Sequence, residues 1–140
     1  MYKILKHRYT HVAIGLNEND FYSFCFKGFS KEKKRSKMPQ NWRDNYAYCY
    51  IDVDKQQYNL IKQEIYLILE NERDYRYSII EFIGAFLKIP IRINNHYFCS
   101  YFVADVLKNA GYSLQKKSNL YLPDTLAKEL QDNQFVEYTV

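Results

Sequence analysis

Three cysteines and three histidines are the residues of this 140-residue chain best suited to covalent or acid–base chemistry. Cys25, Cys49 and Cys99 are odd in number and lack CxxC spacing, so they suggest neither a disulfide framework nor a zinc site. With four glycines in all, the chain has no Gly-rich loop to cradle a phosphate, and neither a metal nor a cofactor is expected. Cys25 in "FCF" and Cys49 in "YCY" read as packed positions between aromatics in strands. Cys99, in "NNHYFCSYFVADVLKNAGY", stands instead where an amphipathic helix begins.

That position matters because a thiol with an ordinary pKa of about 8.5 is only a few per cent thiolate at neutral pH. The aligned dipoles and free N–H groups of a helix N-terminus favour the anion, and a nearby histidine can complete the activation. The same amides can donate to a developing oxyanion. His7 lies in the polar start of the chain and reads as a surface residue. His96 is three residues before Cys99 in an extended segment, where alternation turns the two side chains to opposite faces. His11 opens the strand "HVAIGL", and Ala13 and Gly15 on its own face leave room for another element or a ligand. His11 is therefore the candidate base. The competing reading of Cys99 is a small buried apolar residue.

The elements that must position these groups can be read from pattern. "HVAIGL" and "FYSFCFKGF" are strand runs separated by the turn chemistry of "NEND", which gives a β-hairpin. A basic surface loop at about 30–44 follows, and then a third strand, "YAYCYIDV". Asp54 and Gln57 fit a capping box, and Tyr58, Ile61, Ile65 and Ile68 recur at helical spacing up to about Glu72. "YSIIEFIGAFL" predicts a second, mostly buried helix that breaks before Pro90. Phe102, Val103, Val106, Leu107 and Ala110 make one face of the cysteine helix, which Gly111 ends. A short helix around Pro123 and a closing strand "FVEYTV" complete the chain. Strands early and helices late point to α+β with a small antiparallel sheet, in a single domain spanning residues 1–140.

Composition narrows the class further. Hydrophobic residues at 47% and charged residues at 26% are ordinary for a soluble globular protein. The aromatic share of 18%, carried mainly by tyrosine, suits packed surfaces and cleft walls. "MYKILKHRYTHVAIG" has no long apolar run before a cleavage site, and "YSIIEFIGAFLKIPI" is too short and interrupted to span a bilayer. A cytoplasmic protein with reduced thiols is the expectation. The net charge of +4 owes much to Lys31, Lys33, Lys34, Arg35 and Lys37, a cluster that could attract a phosphate-rich partner. No nucleic-acid recognition motif accompanies it, and a solvated loop suffices.

With these residues in view, "THVAIGLNENDFYSF" followed by "YFCSYFVADVLKNAG" resembles the circularly permuted branch of the NlpC-type papain-like cysteine hydrolases. This branch includes the YiiX-like and lecithin retinol acyltransferase-like proteins, and the similarity runs from about Tyr9 to Leu126. It implies a permuted papain-like fold, with the histidine hairpin first and the cysteine-bearing helix packed against it. It also implies Cys99 as nucleophile, His11 as general base and acid, and a third polar residue about a dozen positions after the histidine, which is Ser23 here. Ser23 could orient the imidazole or satisfy local backbone. Tyr22, Tyr97 and Ser100 are the expected substrate-side neighbours, Ser100 being equally suited to capping the helix. The implied activity is hydrolysis or acyl transfer on an amide, ester or thioester of a small molecule, peptide or lipid. The alternative is a papain-like binding or regulatory module without turnover.

Overall fold

Gly28 divides what reads in sequence as one strand. Its φ of +107° lies in the region that glycine occupies at little cost, and the chain reverses there. The computed structural model describes residues 11–17, 19–25, 28–32, 46–77, 79–89, 92–93, 95–133 and 135–139, with backbone alone at 25, 46–49, 79, 81, 131–133 and 135–139. Within them β1 (Ile14–Gly15), β2 (Phe21–Cys25) and β3 (Gly28–Glu32) form a three-stranded antiparallel sheet in that order. The expected basic loop therefore begins later than Ser30, because residues 30–32 belong to β3. The rest of that loop, residues 33–44, lies outside the described residues.

The turn from β1 to β2 is built by Asn17, whose Oδ1 accepts from the amides of Asn19 and Asp20 at 2.8 and 2.9 Å. Phe21 lies over Gly15 so closely that a Cβ there would sit 2.6 Å from the ring. A side chain at position 15 would therefore have to displace the Phe21 ring.

Helix α1 (Lys55–Glu70) starts at the capping box expected from sequence: Asp54 accepts from the Gln57 amide at 2.7 Å while Gln57 accepts from the Asp54 amide at 3.1 Å. Ile61, Ile65 and Ile68 are its buried side. β4 (Tyr46–Tyr50) pairs with β7 (Phe135–Thr139), far along the chain, rather than extending the hairpin sheet. β5 (Arg76–Tyr77) and β6 (His96–Tyr97) make a short parallel pair. Between them α2 (Ile79–Phe86) ends earlier than Pro90 would require. Lys88 adopts φ 60°, and the amides of Lys88 and Ile89 turn back to the carbonyls of Ala85 and Gly84. The expectation of a mostly buried α2 fails: Ile80, Ile83 and Phe86 are 59%, 51% and 60% exposed.

Helix α3 (Cys99–Asn109) is the centre of the core, with Phe102, Val103, Val106 and Leu107 buried. Gly111, at φ 89°, ends it as the sequence predicts. The apolar face of the sheet supplies Tyr22, Phe24 and Phe29, and Phe102 meets Phe24 and Phe29 edge-on at centroid distances of 5.2 and 5.5 Å. Helix α1 contributes its isoleucines to the same cluster, and α4 (Pro123–Asn133) closes it with Leu126 and Leu130. Among the described residues the architecture is α+β, with a small three-stranded antiparallel sheet and four α-helices. No helix among the described residues is long and apolar enough to cross a membrane.

Candidate active site

Cys99 is the first residue of α3, and the local structure explains why the helix starts there. Phe98 holds the N-cap position in extended backbone, at φ −107° and ψ 167°. It is fully buried, with its ring edge-on to Phe82 at 5.5 Å and tilted against Tyr101 at 5.6 Å. An apolar N-cap accepts no amide hydrogen bond, and Phe98 makes no side-chain cap. First-turn amides of α3 are thus left without the side-chain acceptor that serine or aspartate would supply. Cys99 itself is 4% exposed, a free cysteine at the edge of the core.

His11 arrives from the extended segment before β1. Its Nε2 lies 2.7 Å from Oε1 of Glu32, and both side chains are partly buried. The Cys99 side chain lies close enough to the same ring to act on its proton. The contact with Cys99 is the largest influence on the imidazole, followed by the hydrogen bond to Glu32. Together with their charges they outweigh burial and raise the His11 pKa to about 10. The direction of that shift favours the protonated ring beside the Glu32 carboxylate.

Glu32 is the group that sequence reasoning missed. Reading "FYSFCFKGF" as one strand left Glu32 in the basic loop. Once Gly28 turns the chain, Glu32 stands directly opposite Phe21 in the β2–β3 register. The signal was present in Gly28, which follows a Lys at the tip of an aromatic-rich run and is a hairpin residue. Ser23, the expected third residue, is not the group bonded to the imidazole. It is fully buried, and its Oγ donates to the Val12 carbonyl at 2.6 Å. In that place it ties β2 to the residue next to His11 and so positions the histidine through backbone.

The three expected substrate neighbours have internal partners. Tyr22 is buried and stacked on Phe29 at 6.0 Å. Ser100 is fully buried and donates to the Tyr121 carbonyl at 2.6 Å, so it fastens the chain before α4 to α3 rather than capping the helix. Tyr97 packs on Phe24 and Tyr101 and donates to Asp105 Oδ2 at 3.2 Å; burial pushes its hydroxyl pKa upward. His96 pairs through β6 with Arg76 on the parallel strand. The side chains of Cys25 and Cys49, and the whole of His7, lie outside the described residues.

The arrangement combines a thiol at a helix start, an imidazole that can hold or release a proton, and a carboxylate that orients the imidazole. Those parts suffice for nucleophilic attack at a carbonyl. Among the described residues no group of three or more His, Cys, Asp or Glu side chains could hold a metal ion. No protein-family model matches the chain, and neither a curated protein nor a solved structure shows significant similarity to it.

Proposed function

We propose that the chain is a cysteine hydrolase or acyl-transfer enzyme of permuted papain-like design, working through Cys99, His11 and Glu32. The observation that carries the reading is the His11 ring, held at Nε2 by Glu32 and influenced most strongly by Cys99. A buried cysteine needs no histidine to pack, and a surface histidine needs neither a sulfur nor a carboxylate.

In the reaction, the Cys99 sulfur attacks the carbonyl carbon of an amide, ester or thioester. The backbone N–H of Cys99 donates to the resulting oxyanion. His11 gives its proton to the leaving amine, alcohol or thiol as the bond to carbon breaks, leaving a thioester on Cys99. The neutral imidazole then takes a proton from water, which attacks the thioester and frees the acid and the thiol. An acceptor alcohol or amine in place of water makes the same step an acyl transfer. Glu32 holds the ring in one orientation throughout and stabilises its charged form. Because Cys99 is almost enclosed while His11 and Glu32 are partly exposed, substrate approaches from the His11 side.

The alternative of a papain-like binding module drew its support from Ser23 as a weak third group. The spread of aromatics was its other ground; the carboxylate beside the imidazole weakens only the first. The test is iodoacetamide alkylation of Cys99 against pH, read by mass spectrometry with Cys25 and Cys49 as internal references. Fast alkylation of Cys99 down to about pH 6 that is lost in His11→Ala supports the pair. A Cys99 as slow as its companions returns it to a packing role. Cys99→Ala abolishes labelling by an acyl-transfer probe, and full labelling of that variant rules out the assignment.

A further inference from the structure

We propose that α2 and the turn after it dock on the surface of an anionic lipid bilayer. The helix is apolar on both sides, which is unusual for a helix on a protein surface. Its inner side is accounted for: Phe82 and Ala85 pack with Phe98 and Tyr101. Its outer side faces outward. Ile80, Ile83 and Phe86 are each more than half exposed, and Leu87 and Ile89 continue the apolar surface beyond the helix at 59% and 52%. Ile80, Ile83 and Leu87 follow the i, i+3, i+7 spacing that makes one continuous stripe.

Charge identifies the occupant. The exposed cations Lys88 and Arg92 stand in and beside this apolar stretch, and residues 79–93 contain one acid, Glu81. Lys88 occupies a left-handed backbone position that glycine would fill more cheaply, so the turn sets a long basic side chain among isoleucine, leucine and phenylalanine. Aliphatic and phenyl groups that enter the acyl boundary, with lysine and arginine reaching back to anionic headgroups, are the composition of an interfacial element. A second copy of the chain is a poorer occupant. A two-fold contact through this stretch would bring Lys88 and Arg92 of each copy toward the same cations, with one acid apiece to offset them. The element is also too short to span, so it lies on the membrane. The Phe82–Phe98 contact then holds the start of α3, and Cys99 with it, close to the lipid surface.

The test is cosedimentation of the full chain with vesicles of phosphatidylcholine alone and of phosphatidylcholine mixed with phosphatidylglycerol. Binding is expected to the mixed vesicles, weakening as salt is raised. Lys88→Gln with Arg92→Gln is expected to reduce partitioning about thirtyfold, the combined effect of two cations at an anionic surface. Phe86→Ser with Leu87→Ser is expected to reduce it at least as much, with circular dichroism and thermal midpoint showing both variants folded. Three outcomes overturn the proposal: no binding to mixed vesicles, equal binding to neutral and mixed vesicles, or unchanged binding by either folded variant. If the wild-type chain ignores vesicles and sediments as a dimer that Phe86→Ser with Leu87→Ser dissociates, the face belongs to a second copy.

Discussion

Nε2 of His11 and Oε1 of Glu32 are 2.7 Å apart, although 21 residues separate them in the chain. One lies before the first strand and the other at the end of the third, so the hairpins bring them together. Neither needs an unusual conformation. The β2–β3 register set from Gly28 carries Glu32 level with Phe21, and the Ser23–Val12 bond fixes the backbone beside His11.

Glu32→Gln keeps an acceptor near the ring but removes its charge. The His11 pKa is expected to fall from about 10, and Cys99→Ala is expected to lower it further because Cys99 is the larger influence. Titration of the His11 ring protons by NMR reads both. Turnover of an activated ester by Glu32→Gln is expected to fall about 10- to 100-fold, as for groups that orient a reacting residue. Unchanged turnover would leave Glu32 a structural partner only.

Ser23→Ala separates positioning from chemistry. The change strands the Val12 carbonyl without its buried donor and is expected to cost about 1–3 kcal/mol of stability in denaturant titration. The alkylation profile of Cys99 is expected to keep its pH dependence once the variant is folded. A flattened profile would make Ser23 part of the acid–base machinery.

His11 also predicts how stability varies with pH. Its pKa is raised in the folded protein from the ordinary 6.5 to about 10, so the folded state binds the proton more tightly. The stabilisation is complete below about 6.5 and is lost as pH rises toward about 10. Thermal midpoints are expected to decline over that window in the wild-type chain, and His11→Ala to decline less. Equal slopes would show that the ring is not coupled to its partners.

Glu64 gives a separate effect in a different window. Burial, countered by a 3.0 Å hydrogen bond from Asn109, raises its pKa from 4.5 to about 7. A carboxyl that prefers to stay protonated in the folded state costs stability as pH rises from about 4.5 through 7. Glu64→Gln, which can still accept from Asn109, is expected to raise the thermal midpoint at pH 8 and leave it nearly unchanged at pH 4. An equal shift at both pH values would point to packing instead of charge.

Periodicity and local chemistry made much of this molecule legible in sequence. The Asp54–Gln57 box, the isoleucine side of α1, the start of α3 at Cys99 and its end at Gly111 follow from interactions within a few residues. Features set by tertiary structure did not. Whether "FYSFCFKGF" is one strand or two depends on Gly28, and the identity of the third group depends on that turn. The partner of β4 lies at the far end of the chain, where no local pattern could name it. The exposed side of α2 was misread for a related reason: apolar content says that a surface prefers to leave water, not what covers it.

The aromatic contact of Phe102 with Phe24 and Phe29 has a consequence for the newly made chain. His11 and Glu32 lie within the first 32 residues and Cys99 follows far behind, so no local segment contains the whole constellation. Only when the sheet docks on α3 through those rings does the sulfur meet the imidazole. During synthesis Cys99 lacks this partner, and the same holds whenever the sheet separates from the helix. The Cys99 thiol and the His11 ring are thus brought together by the docking of the sheet on α3, so their juxtaposition depends on the tertiary packing and not on any local segment.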